Sequence, residues 1–289
     1  MALQPDKNKS TVCVPTPVHS GKITISTLQT MRQHHQPIAM LTCYDFPTAK
    51  ILSHCGVHIL LVGDSAATTV LGEDSTIHAT MDFMVLLTRA VRRGAPEAYL
   101  MADMPFASYA TAEAAVANGR RFMTEAGADC VKLECDLRHE NIVRTMVMAG
   151  IPVCAHLGLL PQRAAQTGGY RYQGRTEEQA EELVRESLAM TDAGAEMLLL
   201  EAVPDRVSRR IVDTTGALVL GCGAGASCHG HVMVLHNMLG YTEKPPRFVE
   251  RYGDVPTAIA AAARAYVQAV EKRKYPQLRH EYGVQATAT

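Results

Sequence analysis

The chain has 289 residues, 47% of them hydrophobic and 20% charged, with a formal net charge of −1. That balance supports a sizeable buried core and excludes wholesale disorder. It leaves no electrostatic footprint for nucleic acid or an acidic membrane surface, and no apolar run reaches the ~20 residues of a membrane span.

Residues 1–21 contain no apolar stretch of the kind a secretory signal needs, and read as a flexible N-terminal tail. From there short apolar runs alternate with helical patterns: Ile38–Thr42, His58–Val62, Ala98–Ala102, Cys130–Leu133, Pro152–Ala155, Glu196–Leu200, Ala217–Gly221 and His231–Leu235. Near-continuous apolarity fits strands covered on both faces in a parallel sheet. Between them, Thr111–Ala126 and Glu177–Ala193 carry charges on one face and Ala, Leu, Val or Met on the other, as crossover helices do. Thr111 and Thr176 stand where N-caps belong, and Gly127, Gly150 and Gly194 where a left-handed residue ends a helix. Strict alternation predicts an α/β fold, a single-domain (β/α)8 TIM barrel over residues 22–275. Ala258–Lys272 adds a C-terminal helix, and residues 276–289 form a tail. Gly221-Cys222-Gly223-Ala224-Gly225 lacks dinucleotide-binding spacing and reads as a tight turn.

The eight cysteines show no CxxC pair, and scattered thiols in apolar runs suit a reducing cytoplasm. Cys228-His229-Gly230-His231 lacks the second ligand pair of a zinc site.

Barrel chemistry gathers at the C-terminal ends of strands. Here those ends carry Tyr44-Asp45, Asp64-Ser65, Asp103, Lys132 with Glu134, His156, Glu201 and His236. Acids crowded at one rim repel and call for a cation, and oxygen donors without paired His or Cys suit magnesium first. Asp64 and Asp103 also fit helix N-caps, and His156 fits a satisfied core histidine. Lys132 lies inside an apolar strand and needs a partner, a substrate carboxylate or Glu134. Glu201 follows an apolar run, where burial raises a carboxyl pKa and equips a base; its structural alternative is a salt bridge to a rim arginine.

These residues sit in longer phrases: LTCYDFPTAK (41–50), LLVGDS (60–65), EDST (73–76), AVRRGAP (90–96), ADMPFASYAT (102–111), VKLE (131–134), PVCAHLGLLPQ (152–162), GGYRYQGR (168–175), LLLEAVP (198–204) and GCGAGASCHGHVMVLHNMLG (221–240). Through them the chain resembles the ketopantoate hydroxymethyltransferase family of the phosphoenolpyruvate/pyruvate barrel superfamily. The resemblance implies Mg²⁺ held by Asp64 and Asp103 with Glu134 completing its shell. It implies a 2-oxo acid contacted by Asp64, Ser65, Asp103 and Lys132, and Glu201 as proton acceptor. Tyr44 and His156 would support these groups, and GGYRYQGR would border the site. The implied co-substrate is 5,10-methylenetetrahydrofolate, and the implied assembly a homo-octamer or homodecamer.

Departures from the family pattern fall at Ala66-Ala67, Glu73, Ile77-His78, Cys135-Asp136, Leu160 and His229-Gly230-His231. They remove no implied ligand, lysine or base, but are expected to alter the surroundings of the site and the donor surface. Two other readings stand beside this one. The first is a paralogue, lyase or hydrolase acting on another 2-oxo acid, although the cysteine loop of isocitrate lyases has no counterpart. The second is a non-catalytic barrel.

Overall fold

Eight parallel strands close in sequence order, with β8 paired to β1. They are β1 Ile38–Thr42, β2 Ile59–Val62, β3 Tyr99–Asp103, β4 Cys130–Glu134, β5 Val153–Gly158, β6 Met197–Glu201, β7 Leu218–Cys222 and β8 Gly230–Met233. The computed structural model describes residues 21–164, 168–169 and 172–283. The barrel expected from the alternating pattern is thus the observed fold. The first twenty residues of the expected N-terminal tail, and residues 284–289 of the C-terminal one, lie outside the described residues.

The chain divides into two compact units, Met1–Leu235 and His236–Thr289. Among the described residues of the first, the α-helices are α1 Ile25–Gln33, α2 Phe46–His54, α3 Ala66–Thr69, α4 Met81–Gly94, α5 Ala112–Ala126, α6 Glu140–Met148, α7 Glu177–Asp192 and α8 Asp205–Thr214. Their ends follow the sequence signals. Thr111 accepts from the backbone N–H of Ala114 at 3.2 Å, and Gly127 ends α5 at φ +72°. Along α5 the buried residues are Ala115, Gly119, Phe122 and Ala126; along α7 they are Ala180, Leu183, Ser187 and Met190. Both sets recur every three or four residues, which is the stripe a helix lays on a sheet.

A short helix, α9 Leu235–Met238, follows the last strand, and α10 Val255–Glu271 is the long helix of the second unit. Asp254 caps α10, no residue of α10 is buried, and Ile259, Tyr266, Val267 and Val270 are exposed along it. No helix among the described residues is long and apolar enough to cross a membrane.

The inside of the barrel is filled by alternate strand residues, among them Ile38, Met40, Ile59, Leu61, Tyr99, Met101, Cys130, Cys154, Met197, Leu199, Leu218 and Leu220. Leu28 of α1 joins this cluster. The same period of two carries the strands upward into polar residues. Tyr99 and Met101 lead to Asp103; Cys130 leads to Lys132 and Glu134; Cys154 leads to His156; Met197 and Leu199 lead to Glu201. Alternation alone therefore turns five chemically active side chains to the barrel interior at its C-terminal end.

Candidate active site

Register brings those five together. Asp103 stands opposite Lys132, Glu134 opposite His156, and Gly158 opposite Glu201. Lys132 Nζ lies 2.7 Å from Asp103 Oδ1, and both side chains are almost wholly buried. Lys132 thus meets Asp103 across β3 and β4, where the sequence alone points to a substrate carboxylate or Glu134 as its partner. The reason is register: Asp103 is its direct cross-strand neighbour, whereas Glu134 lies two residues further along the same strand.

Burial works against the Lys132 ammonium, but the carboxylates of Asp103 and Asp64 outweigh it and hold its pKa above the ordinary value. Burial pushes Asp103 up to about 7, with Lys132 opposing and Asp64 adding to the shift. Burial likewise pushes Glu134 up to about 8, against the N–H of Gln162 and the charge of Lys132.

Lys132 also donates to Nδ1 of His156 at 3.3 Å. An ammonium can only donate, so Nδ1 accepts and the proton of the neutral ring sits on Nε2. That Nε2 lies 3.3 Å from Glu201 Oε2, without hydrogen-bond alignment. Burial and then Lys132 hold the His156 pKa well below its usual value. His156 is therefore a neutral ring between Lys132 and Glu201. Burial raises Glu201 to about 7, with Lys132 opposing. Among the described residues no arginine pairs with Glu201.

Asp64 follows β2, and its backbone N–H donates to Asp103 Oδ2 at 3.2 Å. It is buried and heads no helix; α3 begins two residues later after Ser65. Ser65 Oγ lies 2.8 Å from the hydroxyl of buried Tyr44, so both residues are present at this rim. Asp45, in contrast, caps α2 by accepting from Thr48 N at 2.8 Å. His236 belongs to the second unit.

One residue at the centre was absent from the sequence-derived site. Gln162 is 4% exposed, and its amide nitrogen donates to Asp64 Oδ2 at 2.9 Å and to Met104 O at 3.0 Å. Its backbone N–H donates to Glu134 Oε1 at 2.9 Å, and its amide oxygen accepts from Tyr109 at 2.7 Å. It lies in the phrase HLGLLPQ, and no period or charge pattern marks it.

The expected metal ligands are brought to one rim but do not form a closed cage: among the described residues no three His, Cys, Asp or Glu groups converge as a metal site. Asp64 and Asp103 are joined directly, and Gln162 stands between Asp64 and Glu134. The residues nonetheless fit a hard cation. Glu134 Oε2 is buried with no hydrogen-bond partner, and two of the three carboxylates are pushed toward protonation by burial.

The departures from the family pattern divide by position. Ala66 and Ala67 are fully buried in α3 beside Ser65, and Cys135 is buried after β4. Glu73 is exposed. His229 and His231 contradict the expectation that they border the site. His229 precedes β8, and its Nδ1 accepts from Val219 N at 3.0 Å near the start of β7. Its pKa is lowered to about 4 by burial and by Arg32 of α1. His231 pairs with Ala39, the second residue of β1. Both lie toward the N-terminal end of the strands, away from the acids. In the loop GGYRYQGR, Tyr170 and Arg171 lie outside the described residues.

Buried acids, a lysine and a histidine gathered at the C-terminal end of a closed parallel barrel define an α/β-barrel enzyme. Solved barrels share the fold: a 2,3-dimethylmalate lyase at 18% identity and TM-score 0.57, covering 90% of this chain and 91% of that one. A phosphonopyruvate hydrolase does so at 12% identity and TM-score 0.58, over 89% and 93%. Residues 22–278 match the model of ketopantoate hydroxymethyltransferase. A 3-methyl-2-oxobutanoate hydroxymethyltransferase of Nitrosococcus oceani is 44% identical over 91% of this chain and 100% of its own length. Its namesake in Bacillus subtilis is 40% identical over 89% and 94%. The chain belongs to the ketopantoate hydroxymethyltransferase family and is a hydroxymethyltransferase.

Proposed function

We propose that the enzyme transfers a hydroxymethyl group from 5,10-methylenetetrahydrofolate to 3-methyl-2-oxobutanoate in a magnesium-dependent reaction, giving 2-dehydropantoate for pantothenate synthesis. The observation that carries this is the buried Asp103–Lys132 pair linked through neutral His156 to a raised-pKa Glu201. Such an array suits a proton abstraction that leaves negative charge on an oxygen beside it.

Asp64 and Asp103 would hold Mg²⁺, with Glu134 completing its surroundings, and the ion would supply Lewis acidity at the keto oxygen. Lys132, with Asp64, Ser65 and Asp103, binds the 2-oxo acid, and its ammonium offsets charge that develops on the enolate. Glu201 takes the proton from C3. The donor's methylene carbon then bonds to the enolate carbon and to a water oxygen as its bonds to both folate nitrogens break, and those nitrogens take up the proton released from C3 and one from the water. Tetrahydrofolate leaves. His156 keeps Lys132 and Glu201 apart so that neither neutralises the other.

The seven described cysteines are unpaired, which supports a cytoplasmic setting. The exposed apolar residues of α10 support assembly as a homo-oligomer.

The test is an assay with 3-methyl-2-oxobutanoate, methylenetetrahydrofolate and Mg²⁺, run beside solvent deuterium exchange at C3 without folate. Product formation and Mg²⁺-dependent exchange are expected. Exchange without product removes the donor and keeps the enolate chemistry; the absence of both overturns the reading.

A further inference from the structure

Beside the Lys132–Glu201 array lies a cavity of about 430 Å³ that proton abstraction from an oxo acid does not use. Its inner wall is made by Cys135 and Asp136 after β4, and by Gly158, Leu159, Leu160 and Arg163 at the end of β5. Its outer wall is one face of α7, where Gln179, Glu182, Leu183 and Glu186 recur at helical spacing. The cavity and the site share backbone. Cys135 adjoins Glu134, Gly158 stands in register with Glu201, and Leu159 N donates to Glu201 O at 2.9 Å.

The lining sets the class of ligand. Leu159, Leu160 and Leu183 give apolar surface of the kind that holds a flat ring. Asp136 already engages Arg138, Arg163 and His139, so the arginines offer little to an anion. Glu182 and Glu186 have no hydrogen-bond or ion-pair partner among the described residues. Burial and the neighbouring carboxylates of Glu182 and Asp136 push Glu186 up to about 7, against the charges of Arg163 and Arg185. A half-buried carboxyl without a donor is costly, and a ligand bringing two adjacent N–H groups would satisfy it bidentately. A phosphate or carboxylate would meet repulsion from the same two glutamates.

We propose that this cavity binds the bicyclic head of the one-carbon donor, a reduced pterin. Its 2-amino-4-oxopyrimidine edge donates to Glu186, and its ring lies against Leu160 and Leu183. The assignment rests on the proposed transfer reaction. It places the donor on the β4–β5 side of the rim, at strand ends that adjoin Glu134 and stand in register with Glu201.

The experiment uses full-length protein and tetrahydrofolate, which lacks the transferable carbon, with Kd read by calorimetry. Glu186→Gln removes the bidentate acceptor, and Leu160→Trp fills the space, with folding checked by circular dichroism. Each is expected to raise the Kd for tetrahydrofolate and the KM for methylenetetrahydrofolate by about tenfold or more, while the KM for the oxo acid moves by less than about twofold. Unchanged donor constants in both variants, with the parent binding folate and forming product, overturn the cavity assignment and leave the proposed function standing. Equal rises in both KM values also overturn the assignment, because they mark general damage to the rim. Failure of the parent to bind tetrahydrofolate or to form product overturns the reaction and the assignment together.

Discussion

At Gln162 one side chain and one backbone N–H reach two carboxylates from different strands, and the amide is held in turn by Tyr109. Replacing it by leucine keeps the bulk and leaves Asp64 Oδ2, Met104 O and the Tyr109 hydroxyl without their partner. Where carboxylates hold a metal, as proposed for Asp64 and Glu134, such supporting contacts are worth about 10- to 100-fold in metal affinity or activity. Gln162→Leu is therefore expected to weaken Mn²⁺ binding, followed by electron paramagnetic resonance, and to lower kcat/KM within that range. Unchanged metal affinity would reduce Gln162 to a packing residue. Glu201 makes a second prediction at this scale. Its carboxyl is raised to about 7, and a base acts only when ionised, so kcat/KM should rise with pH and level off above about 7. Measured at saturating Mg²⁺, that limb should vanish in Glu201→Gln, with turnover lower by about 10²- to 10⁴-fold. The acids, Lys132 and Glu201 were legible because a charge closing an apolar run stands out. Gln162 was not, because its partners lie 28 to 98 residues away in the chain.

The strands show why boundaries were harder to see than elements. β3, β4 and β6 each include a terminal acid that the sequence reading placed just beyond the apolar run. Asp and Glu after such a run resemble turn residues, yet here the ladder continues because their side chains find partners or a site in the barrel mouth. The β8 region misled in the opposite sense. A run of histidines beside a glycine turn looked like part of the rim, but β8 begins at Gly230, so His229 sits at the entry of the strand. Gly158 tests the strand ends directly. It has φ +93°, and a Cβ there would come within 2.5 Å of Glu201 O and 2.7 Å of Val203. Gly158→Ala must move the end of β5 away from β6 and strain the backbone, at a cost of about 1–3 kcal/mol. The expected result is a lower thermal midpoint together with a fall in kcat, since Glu201 is carried by the displaced segment. A variant that loses stability but keeps kcat would separate the glycine from the base.

For the whole molecule, the buried acids oppose stability in a way that depends on pH. Folding raises the carboxyls of Asp103, Glu201 and Glu186 to about 7 and that of Glu134 to about 8, so the folded chain retains protons that the unfolded chain releases. Stability from these groups falls as pH rises from the ordinary carboxylate range to about 8. His156, His139 and His229 have lowered values and act in the opposite direction, but only below the ordinary histidine value of 6.5. Asp136, held low by Arg138 and Arg163 despite its burial, adds stability that is lost only below about 4. Between pH 6.5 and 8 the acids therefore act alone, and the metal-free protein should lose about 3 °C or more of thermal midpoint across that window. A cation on Asp103 and Glu134 removes their reason to hold protons. Added Mg²⁺ should thus raise the midpoint more at pH 8 than at pH 6.5, as calorimetric scans at both values can show. An equal rise at both would mean that the ion binds elsewhere on the molecule. A midpoint that climbs with pH through this window without metal would mean that these carboxyls are ionised in the fold.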